Sequence, residues 1–218
     1  GFAPKGTNES GEISPFNDYG RTKAEAEMVL RAWQEADPTQ RSLTIIRPTV
    51  VFGPGNRGNV FNLFNQIAKG RFVMIGNGQN YKSIAYVENV ADFFLHFTQA
   101  PPGVQVFNYV DGPELNMNEL VSLVRGTLSG KADVGVRLPG PVGYALGGIA
   151  DVLARISGKS LPISRQRVRK FVSDTSFAMN STNRHDFTPR VALKDAIKIT
   201  LTAEFISPDP SHPIFETE

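Results

Sequence analysis

Residues 42–52, SLTIIRPTVVF, limit the fold more than any other part of the chain, because they are β-branched and almost continuously apolar. A strand with one solvated face alternates apolar and polar residues, whereas a strand covered on both faces is apolar throughout. Strands of the second kind occur in parallel sheets with helices on both sides. The segment therefore predicts an α/β protein with a parallel sheet.

The remainder of the chain alternates helical and strand patterns in agreement with this class. Further strands are predicted at 72–75, 82–87, 104–110 and 134–138, and helices at 19–36, 59–69, 88–99, 116–128, 141–156, 164–172 and 192–206. Asn17 or Asp18 can cap the first helix, and Asn116 with Glu119 has the spacing of a capping box. Helix 88–99 is predicted to turn four apolar residues inward: Val90, Phe93, Phe94 and Phe97.

Composition excludes several classes of function. The 218 residues include no cysteine, which excludes disulfide scaffolds, thiolate metal sites and cysteine nucleophiles. His96, His185 and His212 are far apart and form no metal-ligand motif, so no metal site is predicted. No segment reaches the roughly 18 apolar residues that span a bilayer, and the N-terminus has no secretory pattern. A cytoplasmic location is the expectation.

The net charge of +2 hides an uneven distribution, because residues 38–87 contain no Asp or Glu. This block carries six cations: Arg41, Arg47, Arg57, Lys69, Arg71 and Lys82. Two interpretations stay open, an anionic ligand or ion pairs with acids elsewhere in the chain. A nucleic-acid partner is not predicted, since the bases are not interleaved with aromatic residues at helical spacing.

Residues 53–58, GPGNRG, match the G-x-G-x-x-G pattern of dinucleotide-binding loops and lie between a strand and a helix. Three features oppose that interpretation. Pro54 removes one backbone N–H from the turn, and Pro48 interrupts the preceding strand. No acid follows about 20 residues later to bind a ribose hydroxyl.

Tyr19 and Lys23 are four residues apart, which places a phenol and an ammonium on one helix face. A neighbouring cation stabilises a phenolate, so such a tyrosine can accept a proton from a sugar hydroxyl and return it. The alternative is two side chains that merely pack beside each other on the helix.

These residues occur within longer motifs that resemble a known family. Residues 15–27, PFNDYGRTKAEAE, resemble the P-x-x-x-Y-G-x-[ST]-K-x-x-x-E active-site helix of extended short-chain dehydrogenases/reductases of the NAD-dependent epimerase/dehydratase type. Residues 46–55 are similar to that family's R-P-x-x-V-[YF]-G-P segment, and residues 72–91 to its G-x-G and R-x-x-x-x-V-x-D-V-A segments. Residues 187–193, FTPRVAL, resemble its C-terminal pattern.

The resemblance implies an NAD(P)-binding Rossmann domain and a smaller α/β substrate domain, of which the chain is the C-terminal part. The implied boundaries are 1–58 for the end of the Rossmann domain, 59–103 for a substrate-binding segment, 104–112 for the last Rossmann strand, 113–206 for the substrate domain and 207–218 for a loose tail. The glycine-rich first turn is expected upstream of Gly1. We therefore expect the chain as given to be inactive.

The resemblance also assigns residues to the NAD or NADP cofactor. Tyr19 would be the catalytic acid/base, and Lys23 would hold the nicotinamide ribose and tune Tyr19. Pro48 and Val51 would line the nicotinamide.

A second group of residues would bind the substrate. Asn59 would contact the diphosphate or sugar, and the backbone of Val73 and Ile75 the nucleobase. Lys82 stands where the family has a diphosphate-binding arginine, and a lysine lacks the bidentate fork of that residue. The R-x-G-D phosphate motif of the family is absent near 135–140, and Arg137 would replace it in part.

An apolar helical stretch at 139–172 replaces that motif. Its apolar face comprises Val142, Leu146, Ile149, Val152, Leu153 and Ile156. Such a face most often belongs to a hydrophobic core, which is the expectation for this chain. The other interpretation is a lipid-linked sugar substrate or a contact with a membrane surface.

Three functions follow from the resemblance. The first is an epimerase/dehydratase that transfers hydride at C4 of a nucleotide-diphosphate sugar. The second is a 4-ketosugar reductase or an oxidoreductase similar to 3β-hydroxysteroid dehydrogenases. The third is a non-catalytic binding module, against which the intact Tyr19 and Lys23 pair argues. A homodimer is also implied, because family members often dimerise through the tyrosine-bearing helix and the helix before it, of which the chain contains only the first.

Overall fold

The computed structural model describes residues 4–15, 17–158, 164–179, 187–209, 211 and 213–215. The elements in chain order are α1 (Asp18–Glu35), β1 (Ser42–Pro48), β2 (Val50–Phe52), α2 (Asn59–Ala68), β3 (Met74–Ile75), β4 (Ile84–Tyr86), α3 (Val87–His96), β5 (Gly103–Tyr109), α4 (Met117–Ser129), β6 (Arg137–Leu138), α5 (Gly140–Ser157), α6 (Arg165–Val172) and α7 (Leu193–Leu201), which continues as the π-helix Thr202–Ile206. The predicted α/β class is confirmed.

The chain divides into two compact units. Unit 1 comprises Gly1–Phe52, Ser83–Pro113 and Ser176–Leu193, and unit 2 comprises Gly53–Lys82, Glu114–Thr175 and Lys194–Glu218.

The strands of unit 1 pair in parallel. β1 pairs with β5, from Ser42 opposite Gly103 to Pro48 opposite Tyr109, and β2 pairs with β4. The prediction of one continuous strand at 42–52 is therefore wrong, because the chain changes partner at Thr49, whose N–H donates to the Tyr109 carbonyl at 2.9 Å. Pro48 lacks an N–H and marks the end of β1, where its missing donor interrupts no central ladder.

An aromatic cluster around Phe93 forms the core of unit 1. The Phe93 ring lies 4.8 Å from the Tyr109 ring, 4.9 Å from Phe187 and 5.6 Å from Phe107, measured between centroids. The prediction that Phe94 faces inward is wrong, since it is 50% exposed. The buried face of α3 is centred on Phe93 and includes the polar Asn89, so a neighbour of Phe93 in sequence is rotated about 100° out of the core.

A buried polar network joins the strands of unit 1 to α3. The Asp111 carboxylate accepts hydrogen bonds from the Tyr86 N–H at 2.6 Å, Asn89 Nδ2 at 3.0 Å and the Tyr109 hydroxyl at 2.8 Å. Asn89 also donates to the Val191 carbonyl at 2.8 Å and accepts from the Val191 N–H at 3.1 Å. Position 89 holds Asn where the family pattern has Asp, and the amide can donate to Asp111 whereas a carboxylate cannot.

Unit 2 is built around helices α2, α4 and α7. Their buried apolar residues within this unit are Val60, Phe64, Ile67, Met117, Leu120, Val121, Val124, Ala196, Ile197 and Leu201. The predicted capping box of α4 is confirmed, because Asn116 Oδ1 accepts from the Glu119 N–H and Glu119 Oε2 accepts from the Asn116 N–H. The short strands β3 and β6 pair in parallel at the edge of this unit.

Helix α5 packs with its small residues rather than its large ones. A Cβ on Gly143 would lie 2.4 Å from Ile75 Cγ2, and one on Gly147 would lie 2.9 Å from the Arg165 nitrogen, so these close approaches need glycine. The expectation that the large apolar face of α5 is core is wrong, since its six residues are 43–78% exposed. Within the described residues, no helix combines the length and the apolar character that crossing a bilayer requires.

Candidate functional site

The first turn of α1 positions Tyr19 and Lys23. Asn17 caps the helix, as predicted, by accepting the Gly20 N–H at 2.9 Å. This cap fixes the helix start, so that Lys23 follows Tyr19 by one turn and its Nζ lies 5.4 Å from the centre of the Tyr19 ring. Tyr19 is 72% exposed, and Lys23 is also exposed. The predicted pair is thus close in space and open to a ligand.

The acids near Lys23 on α1 are bound to arginines. Asp18 and Glu25 pair with Arg21 at 3.0 and 3.1 Å. Glu27, which is one turn from Lys23, instead forms a two-point contact with Arg47 of β1. Within the part of the chain that the structure describes, no carboxylate pairs with Lys23.

The contact between Glu27 and Arg47 links α1 to β1. Its two hydrogen bonds measure 2.8 Å from Arg47 Nε and 2.6 Å from Arg47 Nη2. The hydrogen bond with Glu27 raises the pKa of Arg47, against the opposing effect of burial. The local sequence pattern does not reveal this contact, because the two residues are 20 positions apart.

The residues predicted to hold the cofactor all lie in unit 1. Pro48 is exposed at the end of β1, and Val51 in β2 packs partly against the aromatic cluster. An exposed phenol and an ammonium on one helix face supply the hydrogen-bonding groups that ribose hydroxyls require, and neither is bound to a carboxylate in the described ranges. The residues present therefore fit the nicotinamide riboside of NAD(P).

In unit 2 the structure brings Arg137 beside the turn that follows Ile75. Arg137 donates to the Gly76 carbonyl at 2.9 Å and to Asn118 Oδ1 at 2.7 Å. Gly76 and Gly78 have φ of 80° and 68°, a conformation that favours glycine. The Arg137 guanidinium has five N–H groups, so it can contact this turn and still donate to an anion. Val73, at the start of this segment, is exposed.

Asn59 and Lys82 lie elsewhere in unit 2. Asn59 is the exposed first residue of α2. Lys82 Nζ donates to the carbonyl oxygens of Lys170 at 2.8 Å and Ser173 at 2.5 Å, so it stabilises the C-terminal end of α6. Burial lowers the pKa of Lys82 to about 8, although the nearby Asp174 opposes this change.

The pKa of Lys82 predicts a pH-dependent stability. The Lys82 amine loses its proton near pH 10.5 in the unfolded chain and near pH 8 in the folded chain. The free energy of unfolding therefore rises as the pH increases from 8 to 10.5, and this added stability is lost as the pH falls through 8. Lys82→Arg keeps its charge throughout. We expect the parent to gain about 1 kcal/mol over this variant between pH 8 and 10 in denaturant unfolding, with partial solvation limiting the effect. If the free energy of unfolding changed equally with pH in the parent and in Lys82→Arg, the lowered pKa of Lys82 would be contradicted.

The loop at 53–58 binds a carboxylate of the chain itself. The Gly55 N–H donates to Glu204 Oε1 at 2.6 Å, and Arg57 pairs with the other oxygen of Glu204. Glu204 lies in the π-helix after α7, 149 positions from Gly55, which is why the sequence did not reveal it. A carboxylate therefore takes the place that a phosphate would take in a dinucleotide-binding loop.

The cations of the acid-free block mostly have partners within the protein. Arg47 binds Glu27, Arg57 binds Glu204, and Lys82 binds backbone carbonyls. Arg41 donates to the Trp33 carbonyl and lies over the Trp33 ring at 4.9 Å. Of the two interpretations, ion pairs with acids account for Arg47 and Arg57, and backbone carbonyls hold Arg41 and Lys82, so the charge excess alone does not locate a ligand.

Two relatives of the chain are sugar 4-epimerases by name. The chain is 45% identical over 200 residues to the N-acetyl-alpha-D-glucosaminyl-diphospho-ditrans,octacis-undecaprenol 4-epimerase of Escherichia coli O157:H7, a match that covers 91% of this chain and 60% of that protein. It is 34% identical over 110 residues to the UDP-glucose 4-epimerase of Vibrio cholerae, covering 50% of this chain and 33% of the relative. The chain thus spans less than two thirds of either relative.

Solved structures have the same fold at low sequence identity. MoeE5 in complex with UDP-glucose and NAD superimposes with a TM-score of 0.62 and 20% identity, covering 92% of this chain and 60% of the other. UDP-N-acetylglucosamine 4-epimerase from Bacillus cereus gives a TM-score of 0.61 at 15% identity, covering 91% and 59%. Residues 3–109 match the family model described as NAD dependent epimerase/dehydratase family. The motifs, the fold and the 45% identical relative agree with this match, and residues 3–109 belong to the NAD dependent epimerase/dehydratase family.

Proposed function

We propose that the protein is an NAD(P)-dependent 4-epimerase of a sugar carried on a diphosphate, with Tyr19 as its acid/base. The observation that carries the proposal is the exposed Tyr19 and Lys23 pair, whose neighbouring acids are all bound to arginines. The names of the relatives support the reaction class, since two of them are sugar 4-epimerases.

In the proposed mechanism Tyr19 transfers the proton, and Lys23 stabilises the negative charge of the Tyr19 phenolate. The Tyr19 phenolate accepts the proton of the sugar C4 hydroxyl as a ketone forms, and returns it to the oxygen when C4 is reduced on its opposite face. Lys23 stabilises the phenolate by its positive charge and donates to a ribose hydroxyl. NAD(P), when bound, supplies the acceptor and donor of the C4 hydride. We assign the diphosphate to Arg137, which keeps N–H groups available for an anion. Asn59 and Lys82 lie elsewhere in unit 2 and stay predictions from the family resemblance.

A reductase that uses the same two residues is the second candidate. The exposed apolar face of α5 favours it, because a ketone substrate with a large apolar part would suit such a surface. The two candidates differ in their electron balance. Epimerisation returns the hydride and consumes no reductant, whereas reduction of a ketone consumes one NAD(P)H for each turnover.

The test measures epimerisation directly. The protein, with whatever residues its gene encodes before Gly1, is incubated with NAD and N-acetylglucosamine carried on UDP or on a short polyprenyl diphosphate. We expect the 4-epimer to form with no added reductant on at least one carrier. NAD(P)H consumption that is proportional to product would instead support the reductase, and no product from any carrier or ketone would remove the enzyme proposal.

A further inference from the structure

The large apolar residues of α5 form an outward-facing stripe. At 100° per residue, Val142, Leu146, Ile149, Val152, Leu153 and Ile156 fall within an arc of about 120°. The opposite side of the helix is occupied by Gly143 and Gly147, which are buried against Ile75 and the Arg165 backbone. Helix α5 therefore exposes a continuous apolar face to solvent, and exposed apolar patches of this kind indicate a binding surface.

A groove of about 450 Å³ runs along this stripe. It is lined by Ala145, Gly148, Ile149, Val152, Leu153 and Arg165. The groove is therefore apolar over most of its length and has one cation from α6 at its side. This arrangement suits a ligand with an apolar part and an anionic part.

Helix α6 supplies a dense positive charge next to the stripe. Its buried residue is Val168, and its exposed residues include four cations: Arg165, Arg167, Arg169 and Lys170. Over residues 152–173 the sequence has six cations and no Asp or Glu. Arg165 places part of this charge at the groove beside the stripe, and we name the stripe together with α6 the α5–α6 surface.

We infer that the α5–α6 surface docks on a bilayer that contains anionic phospholipid. Interfacial helices lie in the plane of the membrane with an apolar face inserted and with Lys and Arg at the headgroups, and α5 with α6 supplies both parts. Charge also argues against a second copy of the chain as the occupant. A twofold contact would bring the same basic helix of each copy close together, whereas an anionic bilayer attracts it.

Docking on a bilayer rests on the proposed function in one respect, which is the carrier of the sugar diphosphate. If the sugar diphosphate is carried on a polyprenyl lipid, the carrier lies in the bilayer, and an enzyme docked there meets its substrate at the surface. Binding to vesicles is measured without turnover, so failure of the docking inference and failure of the epimerase proposal are separate results.

The first experiment is vesicle flotation at 100 mM salt, with vesicles of phosphatidylcholine alone or mixed 3:1 with phosphatidylglycerol. We expect the protein to float with the mixed vesicles and Ile149→Ser/Leu153→Ser to lower partition at least tenfold, because each buried methylene contributes to insertion. The matched control is Met28→Ser/Val29→Ser on α1, whose residues are 69% and 70% exposed, and it is expected to float as the parent does.

The second experiment tests the charge of α6. Arg167→Gln/Arg169→Gln is expected to weaken binding to mixed vesicles roughly fivefold per charge, and high salt to weaken binding of the unmodified protein in the same way. Equal binding to both vesicle types would overturn the inference. Sedimentation in which Ile149→Ser/Leu153→Ser splits a dimer, without parent binding to vesicles, would overturn it in favour of self-association. The salt series needs no variant, so it decides the question even if the α5 variant does not fold.

Discussion

Replacing Tyr19 by Phe is expected to lower the turnover of the proposed epimerase by roughly 10²- to 10⁴-fold, which is the usual contribution of a positioned general acid/base. The substitution removes one hydroxyl from a side chain that is 72% exposed, so the fold is expected to melt at the parent's temperature. The loss would appear mainly in kcat, because the proton is transferred in the transition state and contributes little to substrate binding. The measurement is the initial rate of 4-epimer formation under the conditions of the epimerisation test.

Tyr144→Phe is the matched control for this prediction. It removes the same hydroxyl from a tyrosine of α5 that lies outside the candidate site, and its rate is expected to equal that of the parent. Lys23→Met is expected to lower the rate and to weaken NAD binding together, since the ammonium both stabilises the phenolate and holds the ribose in the proposal. If Tyr19→Phe retains more than about a tenth of the parent rate, the role assigned to Tyr19 is wrong.

Local features of the fold could be predicted from the sequence. The caps at Asn17 and Asn116 depend on residues within three positions of each other, and both occur as predicted. The break at Thr49 could not be predicted, because it depends on the strand to which each half of 42–52 pairs, and these partners lie about 35 and 60 positions further along the chain. Pro48 was the available signal.

Non-local contacts explain the remaining differences. The face that α5 buries depends on Ile75 and on the backbone of Arg165, so hydrophobicity alone predicted the wrong side. The spacing of Gly143 and Gly147 by one helical turn was a signal of close approach that a hydrophobic pattern ignores. The Tyr19 and Lys23 pair could be found because its two residues lie within one helical turn. The ion pair of Glu27 with Arg47 could not, because it joins residues 20 positions apart.

Replacing Asn89 by Asp is expected to destabilise the protein by about 3 kcal/mol, a large fraction of the stability of an ordinary domain. Asn89 Nδ2 donates to Asp111 at 3.0 Å and to Val191 at 2.8 Å, and a carboxylate can make neither bond. Two buried carboxylates at that distance cannot both ionise, so one takes up a proton or the network opens. Since the Asp111 carboxylate also accepts the Tyr86 N–H and the Tyr109 hydroxyl, the change would disturb β4, β5 and α3 together.

The pH dependence of the Asn89→Asp variant separates charge repulsion from simple loss of packing. Burial beside Asp111 would raise the pKa of the introduced carboxyl in the folded state, so its destabilisation grows as pH rises above about 4 and shrinks as pH falls toward that value. Denaturant unfolding at pH 4.5 and 7.5 measures this, with Asn62→Asp on the exposed side of α2 as the control that changes little. Asn89→Asp/Asp111→Asn restores an amide opposite a carboxylate and is expected to recover part of the loss, although the Val191 carbonyl stays without its donor. A double variant no more stable than Asn89→Asp, with the same loss at both pH values, would show that shape rather than charge determines the choice of Asn at this position.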